Sequence, residues 1–126
     1  MPILTKQQIL EADDLQVETI EVPEWGGEVL VRGLSGTERD AWEQSIIDMK
    51  QAAARKNGAG LDYDFANFRA KLVARCIVDE DGQRLFGEGE IGLLGKKSAA
   101  ALDRVFAVAQ RLSGLSSQDV EELTKN

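Results

Sequence analysis

The chain has 126 residues, 43% hydrophobic and 29% charged, with a net charge of −7 and a pI near 4.6. That length suits one domain over residues 1–126 with a modest core, and so acidic a surface repels phosphate, which argues against nucleic acid and anionic membranes as partners. The lone Cys76 excludes an intrachain disulfide, no apolar run approaches the roughly 18 residues of a membrane span, and the start, MPILTKQQILEADD, does not read as a signal peptide.

Thr5-Lys6-Gln7-Gln8 fits a capping box, a hydroxyl at the N-cap and an amide three residues on, and predicts a short helix over about residues 6–12. Leu15 to Val22 is β-like, but Leu15 and Val17 have the opposite parity to Ile20 and Val22. Strand side chains alternate with a period of two, so one face cannot take both pairs. Either a bulge near Thr19 shifts the phase or both faces are partly covered. Pro23 and Gly26-Gly27 mark a turn. Glu28 to Arg32, with Val29 and Val31 alternating, reads as the return strand, and a loop longer than two residues leaves the register open.

Ser35-Gly36-Thr37-Glu38 is a second capping box, with Glu38 at the positive end of the helix dipole. The helix is expected over about residues 36–56, roughly 30 Å long. Ala41, Trp42, Ile46, Met49 and Ala53 form its apolar stripe and make it the expected spine. Asn57-Gly58-Ala59-Gly60 stops it. Asp62 or Asp64 caps a third helix over about residues 64–76, burying Phe65, Phe68, Leu72 and Cys76. Short apolar arms around Asp79-Glu80-Asp81-Gly82 suggest a small second hairpin near residues 77–86. A short helix follows within Glu88 to Leu94. The clearest C-terminal helix covers about residues 98–113, with Leu102, Val105, Phe106, Ala109 and Leu112 inward. Ser116 or Ser117 caps a last acidic helix through about Thr124, whose large apolar residues are Val120 and Leu123. So short a helix is marginal alone; residues 115–126 either dock loosely on the body or wait for a partner. The fold class is therefore α+β, an N-terminal β-hairpin packed on a mainly helical body of about four to six helices.

The chemistry points away from an enzyme. There is no histidine, which removes the commonest general base and metal ligand. With one cysteine as well, a structural zinc site has no ligand set. Gly87-Glu88-Gly89-Glu90-Ile91-Gly92 spells G-x-G-x-x-G, but Glu88 and Glu90 stand where a pyrophosphate would approach the backbone. A calcium loop started at Asp79 puts Arg84, not glycine, at its sixth position. No cofactor or metal is expected. Cys76 and Trp42 read as core. Trp25, at the turn beside two glycines, is either core or an exposed interface anchor.

Three segments together carry a resemblance. The first joins Val22-Pro23-Glu24-Trp25-Gly26-Gly27 to Val31-Arg32-Gly33-Leu34 and Thr37-Glu38-Arg39-Asp40. The second is Val78-Asp79-Glu80-Asp81-Gly82 with Leu85-Phe86. The third runs from Lys97-Ser98 to Leu102, then Arg111-Leu112-Ser113-Gly114-Leu115-Ser116, closing on acidic residues and Lys125-Asn126. In this order they resemble the small tail assembly chaperones of long-tailed phages and prophages. The resemblance implies a non-enzymatic protein of the host bacterial cytoplasm, not expected in the mature virion. It implies binding to the tape measure protein, keeping that helical chain soluble, and help in recruiting the tail tube protein; self-association is an open option. It also implies a longer frameshifted form, and Thr124-Lys125-Asn126 permits the A-rich heptamer A-AAA-AAC in the gene. It transfers no catalytic or binding residues.

A chaperone of this kind needs surface rather than catalysis, and helix-in-groove recognition suits it. The expected partner surface is Trp25, Val29 and Val31 on the hairpin with Leu115, Val120 and Leu123 near the C-terminus. Two other classes fit an acidic, enzyme-free chain: a structural head–tail or tail-completion protein of a phage particle, and an acidic antitoxin-like regulator.

Overall fold

The computed structural model describes residues 2–57 and 67–124. The elements are α1 (Lys6–Glu11), β1 (Val17–Val22), β2 (Gly27–Arg32), α2 (Gly36–Asn57), α3 (Phe68–Cys76), β3 (Ile77–Val78), α4 (Ile91–Leu94), α5 (Ala99–Leu112) and α6 (Ser117–Thr124). The expected α+β class and the N-terminal hairpin are both present. Single 3-10 turns at Pro23–Trp25 and Glu88–Glu90 complete the order.

β1 pairs antiparallel with β2 from Val17↔Arg32 to Val22↔Gly27 without a break. The expected bulge near Thr19 is therefore absent. The phase conflict is resolved by exposure: Glu18, Ile20 and Val22 face inward while Val17 stands 55% exposed. Leu15 precedes the strand and escapes its alternation. On the opposite face cover reaches only the β3 side, where Val78 is buried and Leu30 half-buried. Gly26, with φ of 79°, closes the turn in a left-handed conformation that glycine adopts at little cost.

β3 pairs with β2 through Leu30↔Val78 and Val31↔Ile77, giving the sheet order β1-β2-β3. The second hairpin exists in reduced form. Val78 bridges Arg84, and the Leu85 N–H donates to the Ile77 carbonyl at 3.1 Å. The turn between is tied by Asp79, whose Oδ1 accepts from the N–H groups of Asp81 and Gln83 at 2.8 and 3.0 Å. The carboxylate that a calcium loop would need is thus part of the turn. Likewise the Gly87 N–H, the first donor of the G-x-G-x-x-G stretch, donates to Glu90 at 2.9 Å.

α2 is the longest helix, but α3 is the central one, which corrects the expected spine. α3 buries Ala70, Leu72, Val73, Ala74, Arg75 and Cys76, almost all round, and makes the main helix–helix interface with α5. α2 contributes a narrower stripe: Trp42 and Ile46 are fully buried, Met49 is half-buried and Ala41 is exposed. The reason is cover from several elements, α2, α4, α5 and β3, which takes in even Arg75, whose charge is paired with Glu88. Trp42, Phe68 and Phe106 pack in a row of tilted rings, with centroids 6.0 and 5.9 Å apart. Cys76 is buried as expected, and burial pushes its thiol up to about 12. Of the expected stop, residues 58–60 lie outside the described residues, as do the caps Asp62 and Asp64, the side chains of Ala53 and Phe65, and Lys125-Asn126.

A seam joins the hairpin to α5. The Leu34 N–H donates to Ser113 Oγ at 3.0 Å. A Cβ on Gly33 would run into the Leu112 carbonyl, so only glycine lets these backbones approach. α5 begins at its cap, where Ser98 Oγ accepts from the Ala101 N–H at 3.3 Å. Its inward residues are those expected: Leu102, Val105 and Ala109 buried, Phe106 and Leu112 half-buried. α6 docks on the body, with Val120 and Leu123 packed against the core and Lys50 Nζ donating to the Leu123 carbonyl at 2.7 Å.

Candidate functional site

An apolar groove opens at the closed end of the hairpin and encloses about 400 Å³. Trp25 and Val29 form one wall, Leu85 and Phe86 the facing wall, and Leu93, Leu94 and Lys97 close the side, with Ile77 among the lining residues. Each wall is held from behind. Arg104 on α5 donates to both oxygens of Glu24, at 2.6 and 3.1 Å, and so pins the turn that carries Trp25. That pair holds the Glu24 carboxyl below its ordinary value. On the facing wall Arg75 pairs with Glu88 at 2.5 Å and Arg84 approaches the same carboxylate at 3.7 Å. Arg84 Nε also donates to the Ala74 carbonyl at 3.3 Å. Arg32 reaches the Gly82 carbonyl at 3.1 Å and Glu38 at 3.0 Å, which ties the turn before that wall to the start of α2.

The lining is apolar apart from Lys97. A small ligand would need several convergent polar groups to orient it, whereas the apolar side chains of a protein segment need only the trough. Leu93 is 62% and Leu85 48% exposed, so the groove carries exposed large hydrophobics, the kind of patch that marks a contact surface. A second groove shares Val29 and Leu85 with the first and adds Thr19, Leu30 and Val78, with Glu28, Asp79 and Glu80. Leu30 and Val78 stand on the sheet face opposite Ile77, however, so the second opens on the outer face of the sheet.

The six residues expected to meet a partner divide. Trp25 and Val29 are half-buried and line the groove. For Trp25 the answer lies between core and exposed anchor: the ring packs against the core while it walls an open trough. Val31 and Leu115 present no surface. Val31 sits mid-ladder between Glu18 and Ile77 with its side chain inward at 0% exposure, and Leu115, at 5%, packs into the core. Val120 and Leu123 are half-buried against the body on α6 and are not among the residues lining the groove.

Sequence reasoning missed Leu85, Phe86, Leu93, Leu94 and Lys97. The available signal was two adjacent apolar pairs in short elements, Leu85-Phe86 and Leu93-Leu94. Neighbouring residues point different ways, so a short element that buries one of a pair exposes the other. Leu94 is 2% exposed beside Leu93 at 62%. Among the described residues no three His, Cys, Asp or Glu gather as a metal site, and no helix is long and apolar enough to cross a membrane.

A family model described as "Phage tail assembly chaperone" matches residues 5–126. The structure of the bacteriophage HK97 tail assembly chaperone is similar in fold, with a TM-score of 0.55 and 21% identity, covering 84% of this chain and 94% of that one. No curated protein matches. With nearly its whole length matched, the chain belongs to the phage tail assembly chaperone family.

Proposed function

We propose that this chaperone acts without catalysis by receiving an amphipathic helix of the tape measure protein in the apolar groove between Trp25 and Leu93. The observation that carries the reading is the groove itself, an open apolar trough with exposed leucines on a strongly acidic chain. A helix laid into such a trough hides its apolar stripe, and the acidic surface keeps the complex dispersed. Ion pairs behind both walls hold the groove ready, which lowers the ordering cost of binding. The same complex would help recruit tail tube subunits in the host bacterial cytoplasm and release the chaperone before the virion is complete.

The test is co-expression with the tape measure protein encoded in the same phage genome. Wild-type chaperone is expected to bring the tape measure protein into the soluble fraction, and Leu85→Asp with Leu93→Asp to leave it insoluble. A double variant that folds and solubilises as well as wild type would remove the groove from this role. Mass spectrometry of purified virions is expected to lack the chain; its presence there would favour a structural part.

A further inference from the structure

Among the described residues Lys97 is the one charged residue that lines the apolar groove, and its place there is fixed. The Lys97 N–H donates to the Leu94 carbonyl at 3.1 Å, and the Lys96 N–H to the Leu93 carbonyl at 3.3 Å, so the turn that ends α4 sets both lysines one turn beyond the two leucines. On the other side Ser98 caps α5, its Oγ accepting from the Ala101 N–H. The backbone of Lys97 is thus held from both directions, while its side chain is exposed.

Its charge is also unengaged. Every arginine whose side chain is described sits in an ion pair. The acids behind the groove walls are engaged in the same way, Glu24 by Arg104 and Glu88 by Arg75. Lys97 has no carboxylate partner among the described residues. It also lines a smaller pocket of about 150 Å³ beside Asn67 and Arg69, where Arg69 is already paired with Asp103. An acid brought to either hollow therefore meets Lys97 rather than an arginine. The sign matters because the chain as a whole is acidic, with a net charge of −7. At long range such a surface draws basic segments. At the groove a basic segment sets like charges side by side, while an acidic one gains a partner. Residues three or four apart on a helix are neighbours, about 5–6 Å between Cβ atoms. An Asp or Glu at that spacing from an apolar residue in the trough stands beside it on one face, and Lys97, one turn beyond Leu93 and Leu94, is placed to meet it.

We propose that Lys97 is a specificity-determining residue of the groove: it pairs with an acidic side chain flanking the apolar stripe of the bound helix and disfavours helices whose flank is basic. This rests on the groove being the helix-binding surface of the proposed function. It adds the chemistry of the partner segment, an apolar stripe with an Asp or Glu one turn away.

The experiment uses overlapping peptides of about 20 residues, long enough for several helical turns, that cover the tape measure protein of the same phage genome. Their binding is measured to the full chain as wild type, Leu93→Asp, Lys97→Met and Lys97→Glu, all expected to keep the wild-type circular dichroism. Wild type is expected to bind best the segments with an acid one turn from an apolar stripe, and Leu93→Asp to lose them. Lys97→Met, which keeps the aliphatic stem, should weaken them about two- to fivefold, the range of an exposed ion pair, and the loss should shrink as salt is raised. Lys97→Glu should weaken them further. Replacing the acid of the tightest peptide by lysine should weaken its binding to wild type and restore its binding to Lys97→Glu. Segments lost in Leu93→Asp but bound equally by wild type, Lys97→Met and Lys97→Glu leave the groove in its role and overturn the proposal for Lys97. A weakening in Lys97→Glu that the charge exchange does not reverse overturns it too, since the lysine then acts only through the fold. Segments bound equally by Leu93→Asp, or no segment bound by wild type, overturn the role of the groove and that of the lysine with it.

Discussion

The two ends of the chain carry the same helical recipe and come to opposite ends. α1 starts at Thr5 and Gln8, and α6 at Ser116 and Asp119, each with reciprocal side-chain and backbone hydrogen bonds of 2.9–3.2 Å. Both are short, polar and equipped with a few apolar residues. α6 lays Val120 and Leu123 on the body, takes a bond from Lys50 and brings Asp119 within 3.9 Å of Arg39. α1 buries nothing. Capping decides where a helix begins; a facing surface decides whether it belongs to the fold. Of the two outcomes expected for the last helix, docking or waiting for a partner, the structure has the first, and the helix with no assigned role is the one left free.

The largest effect should come from the core that the ends do or do not join. Trp42→Ala removes one end of the Trp42–Phe68–Phe106 row, a side chain at 0% exposure, and should cost about 3–5 kcal/mol in urea unfolding, whereas Ile9→Asp should change stability by less than about 0.5 kcal/mol. Gly33→Ala drives a methyl group toward the Leu112 carbonyl and should cost about 1–3 kcal/mol, read as a lower thermal midpoint. Leu123→Asp places a charge where α6 meets the body and should cost about 1–2 kcal/mol. A neutral result there would put α6 in the same class as α1.

The caps sharpen the comparison further. Ser116→Ala should lower global stability by about 1 kcal/mol because α6 is coupled to the core. Thr5→Ala should leave the unfolding midpoint unchanged and speed amide exchange only near residues 6–11. The smallest effect is on pH. Backbone and side-chain hydrogen bonds from Ser116, with Arg39 nearby, hold Asp119 below its ordinary 3.8, and Arg104 holds Glu24 below 4.5. A lowered carboxylate stabilises above its unfolded value and ceases to do so as pH falls through its folded one. A shallow loss of stability below about pH 4.5 is therefore expected, reduced in Asp119→Asn; an unchanged acid limb in that variant would remove Asp119 from it.

What the sequence made legible was local. Capping boxes close within three residues, so Thr5 and Ser35 announced their helices; for the last helix the sequence left Ser116 and Ser117 open, and Ser116 is the cap. The alternation of Val29 and Val31 with the Pro23–Gly27 turn announced the hairpin. The inward stripe of α5 was equally plain, because every inward residue is spaced along one helix. The pairing of β3 with β2 was not, since Val78 and Leu30 are distant in the chain and only two residues long in their match. The centrality of α3 was hidden because it is set by the elements that cover it, α4, α5 and β3, and Arg69, Lys71 and Arg75 among its nine residues do not announce a buried helix. The groove was least legible of all. Its walls come from Trp25–Val29, Leu85–Phe86 and Leu93–Lys97, three segments whose apolar residues each look like ordinary local core. Only folding leaves one member of each apolar pair, Leu85 and Leu93, outside.

Hydrogen exchange of the chaperone with and without a tape measure fragment tests the central claim most directly. The account predicts new protection at residues 25–29, 85–86 and 93–97 and little change in α6. Protection confined to α6, with the groove segments exchanging as in the free chain, would contradict it.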